Sequence, residues 1–388
     1  MSILLISEIF PPRHGGSGRW FHELYRRLPE QSVTIITGIN DTGRDNELDA
    51  GFPQVIRRIN LSSRHWGLLN LAGLLFYLRT LWRVFRLRPK DLAQIHCGRA
   101  IPEGFIGLIL ARLLGKPLVC YVHGEDIEVA RTSRELTWIV RRVLGGAERL
   151  VCNSLNTQSL LTDYWQVPRE RIRVLNPGVD EQTFIPVAAD TGFRQRSGWQ
   201  GRFVCLTVGR LQRRKGHDRM IEAIPELIRE VPDFLYAIVG QGDTYPELQA
   251  TVERLSLQEH VQFLQDIDDS DLVKCYQQCD LFILPNRTDG NDIEGFGMVL
   301  VEAQACGKPV IAGDSGGTSE TMVQGQTGLI ADCTDPLTIA RAVSTMQRDM
   351  ERGAFQPDAC RLHVLDNFTW SSHTRKAQEL FRELGGVS

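Results

Sequence analysis

Two carboxylates in a glycine-rich setting are the first residues of this sequence whose types and spacing could do chemistry. Glu294 and Glu302 stand eight positions apart in Glu-Gly-Phe-Gly-Met-Val-Leu-Val-Glu, just past the apolar run DLFILP (280–285) and ahead of AQACGKPVIAGDSGGTSE. A glycine-rich loop leading into an apolar helix leaves the backbone amides at the helix start open to an anion or to hydroxyls. If the stretch were helical throughout, the two glutamates would lie about 12 Å apart along the axis, against about 5 Å for the paired carboxylates of a retaining glycosidase. They would serve opposite ends of one long ligand rather than two sides of one bond. Taken alone, the pair is explained as well by a helix N-terminal charge at Glu294 and a solvated Glu302.

A second cluster is VGRLQRRKG, directly after the apolar run FVCLTV (203–208). Arg210 and Lys215 at the carboxyl end of a strand could hold a diphosphate and stabilise charge as it leaves; Arg213 and Arg214 are expected to face solvent. A third is PPRHGGSGRW, where Gly15, Gly16 and Gly18 allow close backbone approach to a phosphate, or simply a tight turn. Phe21 stands where a dinucleotide fingerprint needs its third glycine, which weakens that reading. His123 ends the run PLVCYVH and opens HGED, with Glu125 and Asp126 expected to cap the next helix. Asp266-Ile267-Asp268 is an Asp-x-Asp, a metal-holding pattern elsewhere, but it directly precedes a helical stretch and is read as a helix cap. No GxxxxGK[ST] loop occurs, so ATP-dependent transfer has no support.

The elements that must position these residues alternate in type. Unbroken Ile/Val/Leu runs at 3–7, 33–37, 93–97, 117–123 and 149–153 predict strands covered on both faces, with helices between them. The pattern lapses between Ile172 and Arg202 and resumes at 203–209, 234–240, 261–264, 280–285 and 309–313. The fold class is therefore α/β: two Rossmann-like domains, residues 1–175 and 203–368, joined by a linker at 176–202 and facing a central cleft, where the carboxyl ends of the strands place ligands. A last helix within 369–388, with Ala377, Leu380, Phe381 and Leu384 at helical spacing, is expected to pack back toward the first domain.

Composition narrows the function classes. Lys plus Arg total 44 against 47 Asp plus Glu, so the net charge of −3 gives no general pull toward nucleic acid. The nine cysteines are scattered without zinc or redox spacing, which suits a reduced, cytoplasmic setting. No signal peptide is read at the N-terminus, and the longest uncharged apolar stretch, Trp66 to Leu78, falls short of the roughly 20 residues needed to span a bilayer. Residues 57–90 hold Arg57, Arg58, Arg64, Arg79, Arg83, Arg86, Arg88 and Lys90 with no acidic residue. Arg79, Arg83, Arg86 and Lys90 share one helical face, and Leu71, Leu75, Leu78, Trp82 and Phe85 line another. An ordinary packing helix is expected; the alternative is a helix resting on anionic lipid at the inner face of the membrane.

Taken together, these motifs resemble the GT-B retaining glycosyltransferases that carry two glutamates separated by seven residues, a family that includes bacterial phosphatidylinositol mannosyltransferases and sucrose synthases. The resemblance covers nearly the whole chain. It implies that Glu294 contacts the transferred hexose and Glu302 the ribose, and that Phe296, Gly297 and Met298 offer backbone amides to the sugar. It further implies that Arg210 and Lys215 bind the pyrophosphate, that His123 approaches the sugar, and that the backbone near Ile267 borders the base. Gly15 and Gly16 are counted with the donor site. The implied reaction moves a hexose from a nucleotide-sugar, GDP-mannose favoured over UDP-glucose, to a glycan or lipid-linked acceptor held by loops around 38–70 and 98–105. No metal or other cofactor is expected. A sugar-nucleotide epimerase on the same fold, or a non-catalytic nucleotide-sugar binder, are the alternatives.

Overall fold

The computed structural model describes residues 2–13, 15–39, 49–63 and 65–385. Arg64 and residues 40–48, within one of the loops expected to hold an acceptor, lie outside the described residues. The chain divides into two compact units, one of residues 1–177 with 370–388, the other of residues 178–369.

The first unit is built on seven parallel strands: β1 (Ser2–Ser7), β2 (Val33–Gly38), β3 (Val55–Ile59), β4 (Leu92–Cys97), β5 (Leu118–Val122), β6 (Arg149–Cys152) and β7 (Ile172–Val174). Their order is β3-β2-β1-β4-β5-β6-β7. The central strands are buried along their length, as their unbroken apolar runs require. Strand order reverses between β1 and β4, so the loops leaving their carboxyl ends diverge and open a crevice there. The loops after β1 and β4 carry Gly15, Gly16 and Gly98; that after β5 carries His123.

The second unit repeats the design with β8 (Phe203–Val208), β9 (Phe234–Val239), β10 (Val261–Leu264), β11 (Leu281–Leu284), β12 (Val310–Gly313) and β13 (Gly328–Ala331), ordered β10-β9-β8-β11-β12-β13 and all parallel. Alternate residues feed two separate cores: Phe282 and Leu284 join one, Leu281 and Ile283 the other. Here the order reverses between β8 and β11. That single fact brings the loop carrying Arg210 and Lys215 beside the loop carrying Glu294.

The stretch 176–202, expected as a linker, contributes largely to the second unit. Phe184, Phe193 and Trp199 are buried in its core, and the Arg361 guanidinium holds the carbonyls of Glu181 and Phe184. The terminal helix Trp370–Leu384 belongs to the first unit. Trp20 Nε1 donates to His373 Nε2 at 2.8 Å, and His373 Nδ1 donates to the Asn176 carbonyl at 2.8 Å, which fixes a neutral imidazole. Phe381 packs on the His96 ring.

The helix Leu71–Leu87 corrects the packing expectation. It buries Gly73, Tyr77, Thr80 and Val84, whereas Leu71, Leu78 and Trp82 are 69%, 55% and 58% exposed. It packs on the first unit's core through Tyr77 and Val84, with Phe76, Leu81 and Leu87 partly buried beside them, while a second apolar stripe faces outward. Among the described residues no helix is long and apolar enough to cross a membrane.

Burial holds the His373 pKa down to about 4 and that of His96 to about 3. Both folded values lie below the unfolded value of about 6.5, so the unfolded chain binds more protons between them, and stability is full above that pH and lost below it. Urea unfolding should show the chain losing about 1.4 kcal/mol per histidine for each pH unit crossed from 6.5 toward 4. His373→Gln, which removes one of the two titrations, should reduce that slope by about half.

Candidate functional site

In the second unit the chain leaves β8 through Gly209 and the exposed Arg210, then closes a tight turn at Arg213–Lys215. Gly216 follows with φ of 74°, and a Cβ there would stand 1.7 Å from the Pro285 carbonyl oxygen. Only glycine permits this approach, which presses the loop after β8 onto the loop after β11. Across the contact, Lys215 Nζ lies 2.5 Å from Glu294 Oε2. Arg214, expected in solvent, is 7% exposed; its Nη1 bonds the same Glu294 oxygen, and its Nε lies 3.1 Å from Asp292 Oδ1. Arg213 is the exposed one. The turn folds inward at Arg214 because two carboxylates wait there.

Backbone and side-chain ties fix the two loops further. Arg287 N donates to the Arg214 carbonyl at 2.8 Å, and the Arg287 guanidinium grips Asp218 through two bonds of 2.8 and 2.9 Å. Gly317 N donates to the Glu294 carbonyl at 3.0 Å, and a Cβ on Gly316 would collide with that oxygen at 1.9 Å. Asn286 bonds Gly313 N and the Ser315 carbonyl. Burial by itself would raise the Glu294 pKa, but Lys215 and then Arg214 outweigh it and hold it at about 2. Burial pulls the Lys215 ammonium downward, and the Glu294 carboxylate opposes the pull. The pair is charged at neutral pH.

The helix after this loop spans Met298–Ala305, with Gly297 at its N-cap at φ of 89°. Glu294 lies in the loop before it, so the axial spacing drawn from a continuous helix does not apply. Glu302 lies inside the helix and is buried, not solvated; its Oε2 accepts from the Tyr276 hydroxyl at 2.6 Å. Tyr276 stands on the helix Asp269–Gln278. Phe296 is buried against Phe368, while Met298 is half-buried. Ile267 is half-buried in the loop after β10. Asp268 caps the next helix, accepting from Asp271 N at 2.8 Å.

In the first unit Gly15 is the N-cap of the helix Gly16–Tyr25, and a Cβ on Gly18 would sit 3.0 Å from the Ile9 side chain, so this glycine lets the helix pack closely on the loop that leaves β1. His123 Nε2 donates to the Gly98 carbonyl at 2.8 Å, with Trp20 and Phe21 edge-on to its ring. Burial lowers its pKa. The ring is neutral, and Nδ1 has a lone pair that can accept from a hydroxyl. Asp126 does not cap its helix as expected. Its carboxylate accepts from Ala100 N and His123 N, tying the loops after β4 and β5 together. Sequence reasoning missed the Glu8–Arg99–Glu103 chain at the same strand ends, in which Arg99 Nε bonds Glu103 at 2.8 Å and the guanidinium also meets Glu8. It missed Arg214, Arg287 and Asn286 as well. Gly216 and Gly316 were the available signals for close loop contact there.

Two parallel-sheet Rossmann-like units, with a cationic loop and a carboxylate loop meeting at a strand-order reversal, define a GT-B glycosyltransferase. Residues 14–183 match the family described as Glycosyltransferase Family 4, and residues 190–354 that described as Glycosyl transferases group 1. A GDP-mannose-dependent alpha-(1-6)-phosphatidylinositol monomannoside mannosyltransferase of Mycolicibacterium smegmatis is 36% identical over 387 residues, 97% of each chain. A GDP-mannose-dependent monoacylated alpha-(1-6)-phosphatidylinositol monomannoside mannosyltransferase of Corynebacterium glutamicum is 34% identical over 384 residues, 95% of this chain and 94% of that one. Among solved structures, Anabaena HepE in complex with UDP superposes with a TM-score of 0.82 at 20% identity, covering 99% of this chain and 100% of that one. Sucrose-phosphate synthase of Thermosynechococcus elongatus gives 0.77 at 19% identity, with 100% of each chain covered. The chain belongs to this glycosyltransferase family and is an enzyme of that class.

Replacing Gly216 with alanine tests the contact between the two loops. Its left-handed backbone and the Pro285 oxygen both oppose a side chain, so Gly216→Ala should cost about 2 kcal/mol or more. The readout is a lowered Tm; an unchanged Tm would show that the loops part without penalty.

Proposed function

We propose that this enzyme transfers mannose from GDP-mannose, with retention of anomeric configuration, to a lipid-linked acceptor at a membrane surface. The observation that carries this is likeness over 97% of both chains to a GDP-mannose-dependent mannosyltransferase, together with the Lys215–Glu294 pair at the strand-order reversal of the second unit. Arg210 and Lys215 receive the diphosphate and stabilise its charge on departure. Glu294 meets the hexose, supported by Phe296, Gly297 and Met298 at the helix start, while Glu302 meets the ribose and Ile267 borders the base. His123, neutral and fixed by Gly98, accepts from a sugar hydroxyl, with the Gly15–Gly16 turn on the same strand ends.

A carboxylate held at about 2 by two cations is a poor base. A departing phosphate oxygen is better suited to take the acceptor proton, on the face the diphosphate leaves, which gives retention. Lys215 and Arg210 supply the positive charge that a metal supplies in other transferases, so no metal is assigned.

The membrane reading rests on the helix Leu71–Leu87. Leu71, Leu74, Leu75, Leu78, Trp82 and Phe85 form an exposed stripe, flanked by exposed Arg79, Arg83 and Arg86. The Arg86 guanidinium lies 4.9 Å from the Trp82 ring centre, as expected for side chains sharing an interfacial layer. An apolar stripe with a cationic flank and no acidic residue fits the anionic surface where a lipid-linked acceptor resides.

Steady-state kinetics with GDP-mannose and phosphatidylinositol monomannoside vesicles should show turnover that persists in EDTA. Glu302→Ala should chiefly raise donor KM, since a ribose contact is made alike in ground and transition states, and Glu294→Ala should chiefly lower kcat, each by about tenfold to a hundredfold. Donor consumption without acceptor, at the same rate, would point to epimerisation instead. Sedimentation with anionic vesicles should exceed that with neutral ones, weaken in high salt, and fall when Arg79, Arg83 and Arg86 are all replaced by Gln. Equal partitioning to both vesicle types would remove the membrane reading and leave the transferase reading intact.

A further inference from the structure

Arg214 has no part in the roles given above, yet it is the more deeply engaged of the two cations on Glu294. Four ties join the 213–218 segment to the 285–294 loop: Arg287 N to the Arg214 carbonyl, Arg287 to Asp218, Arg214 to Asp292 and Glu294, and Lys215 to Glu294. Arg214 enters two of them. Its guanidinium is enclosed, and it shares Glu294 Oε2 with Lys215.

This sharing matters once a donor arrives. Lys215 serves the diphosphate in the reading given above, on which this inference rests, and an ammonium that turns to a diphosphate withdraws from Glu294. A largely buried carboxylate stripped of every cation would be strongly unfavourable. Arg214 prevents that condition. Its fork is planar and anchored at its far side by Asp292, so it can hold one carboxylate oxygen in place without following the substrate.

We propose that Arg214 is a positioning residue for sugar transfer: it keeps the Glu294 carboxylate paired and aimed at the hexose while Lys215 turns to the leaving diphosphate. The charged groups around Glu294 are Lys215 and Arg214 from the turn and Asp292 from its own loop, with Arg210 beyond Lys215. Removing Arg214 therefore takes away the cation that remains in the donor complex, and the carboxylate becomes easier to protonate.

The test is a kinetic series on the full-length enzyme with GDP-mannose, phosphatidylinositol monomannoside vesicles and GDP as inhibitor. Arg214→Gln should lower kcat about tenfold to a hundredfold while GDP inhibition changes less than about threefold, and should move the acid limb of the kcat profile up by about one pH unit or more. Arg214→Lys, which restores the charge but not the fork, should return the acid limb toward the parent and recover part of kcat. Asp292→Asn should shift both in the direction of Arg214→Gln by a smaller amount. Lys215→Gln should instead weaken GDP inhibition. If Arg214→Gln weakens GDP inhibition as much as Lys215→Gln does, Arg214 is a diphosphate ligand and the proposal is wrong. It is equally overturned by an unshifted acid limb, or by a lysine variant no better than glutamine. Where Arg214→Gln fails to fold, the lysine and Asp292→Asn variants carry the same two readouts. Should Lys215→Gln and Glu294→Gln both retain parental kinetics, the donor-site reading fails first, independently of Arg214.

Discussion

The second unit is organised around one buried carboxylate and its two cations. The Glu294 side chain is 12% exposed, and a lone carboxylate so far from water would be penalised, a cost that Lys215 and Arg214 offset together. For the side chains to meet, two loops from non-consecutive strands have to touch along their backbones. Gly216 against Pro285 and Gly316 against the Glu294 carbonyl are the places where a Cβ would keep them apart. Arg287 and Asn286 then hold the loops in that contact.

What makes the meeting possible is sheet topology. In a parallel sheet every strand delivers its carboxyl end to the same edge, and where strand order reverses the connections run to opposite faces and leave room between them. β8 and β11 are neighbours in the sheet although their carboxyl ends, Val208 and Leu284, lie 76 positions apart in the chain. The first unit repeats the arrangement with β1 and β4. There the loops after β1 and β4 are joined by Glu8, whose N–H donates to Glu103 Oε1 at 2.9 Å and whose carboxylate pairs with Arg99.

Polar burial in the first unit follows the same economy. His373, His96 and His123 are all neutral, each with a ring nitrogen donating to an oxygen acceptor: the Asn176 carbonyl, the Gln94 side chain and the Gly98 carbonyl. Two of them hold the terminal helix, His373 from within it and His96 beneath Phe381. In contrast, the helix Leu71–Leu87 leaves its second apolar stripe uncovered and packs through Gly73, Tyr77, Thr80 and Val84.

The sequence by itself determined the class of fold, because strands covered on both faces must be apolar without alternation, and those runs stand out at Leu4–Ile6, Ile35–Ile36, Leu118–Val122 and Leu235–Val239. Strands that escaped it are short edge or near-edge ones. Val55–Ile59 carries Arg57 and Arg58, and Ile172–Val174 and Gly328–Ala331 are brief and partly exposed, so burial imposes no clear pattern on them. Residue types also marked Arg210, Lys215, Glu294 and Glu302 as candidates, since few arrangements place glycine, cation and carboxylate so regularly after apolar runs. Which of the adjacent Arg213 and Arg214 turns inward, that Glu302 is buried beside Tyr276, and that the Leu71–Leu87 stripe faces outward were decided only by tertiary structure. Neighbouring residues of one type carry the same local preference, and what separates them is whether a partner from a distant strand stands opposite.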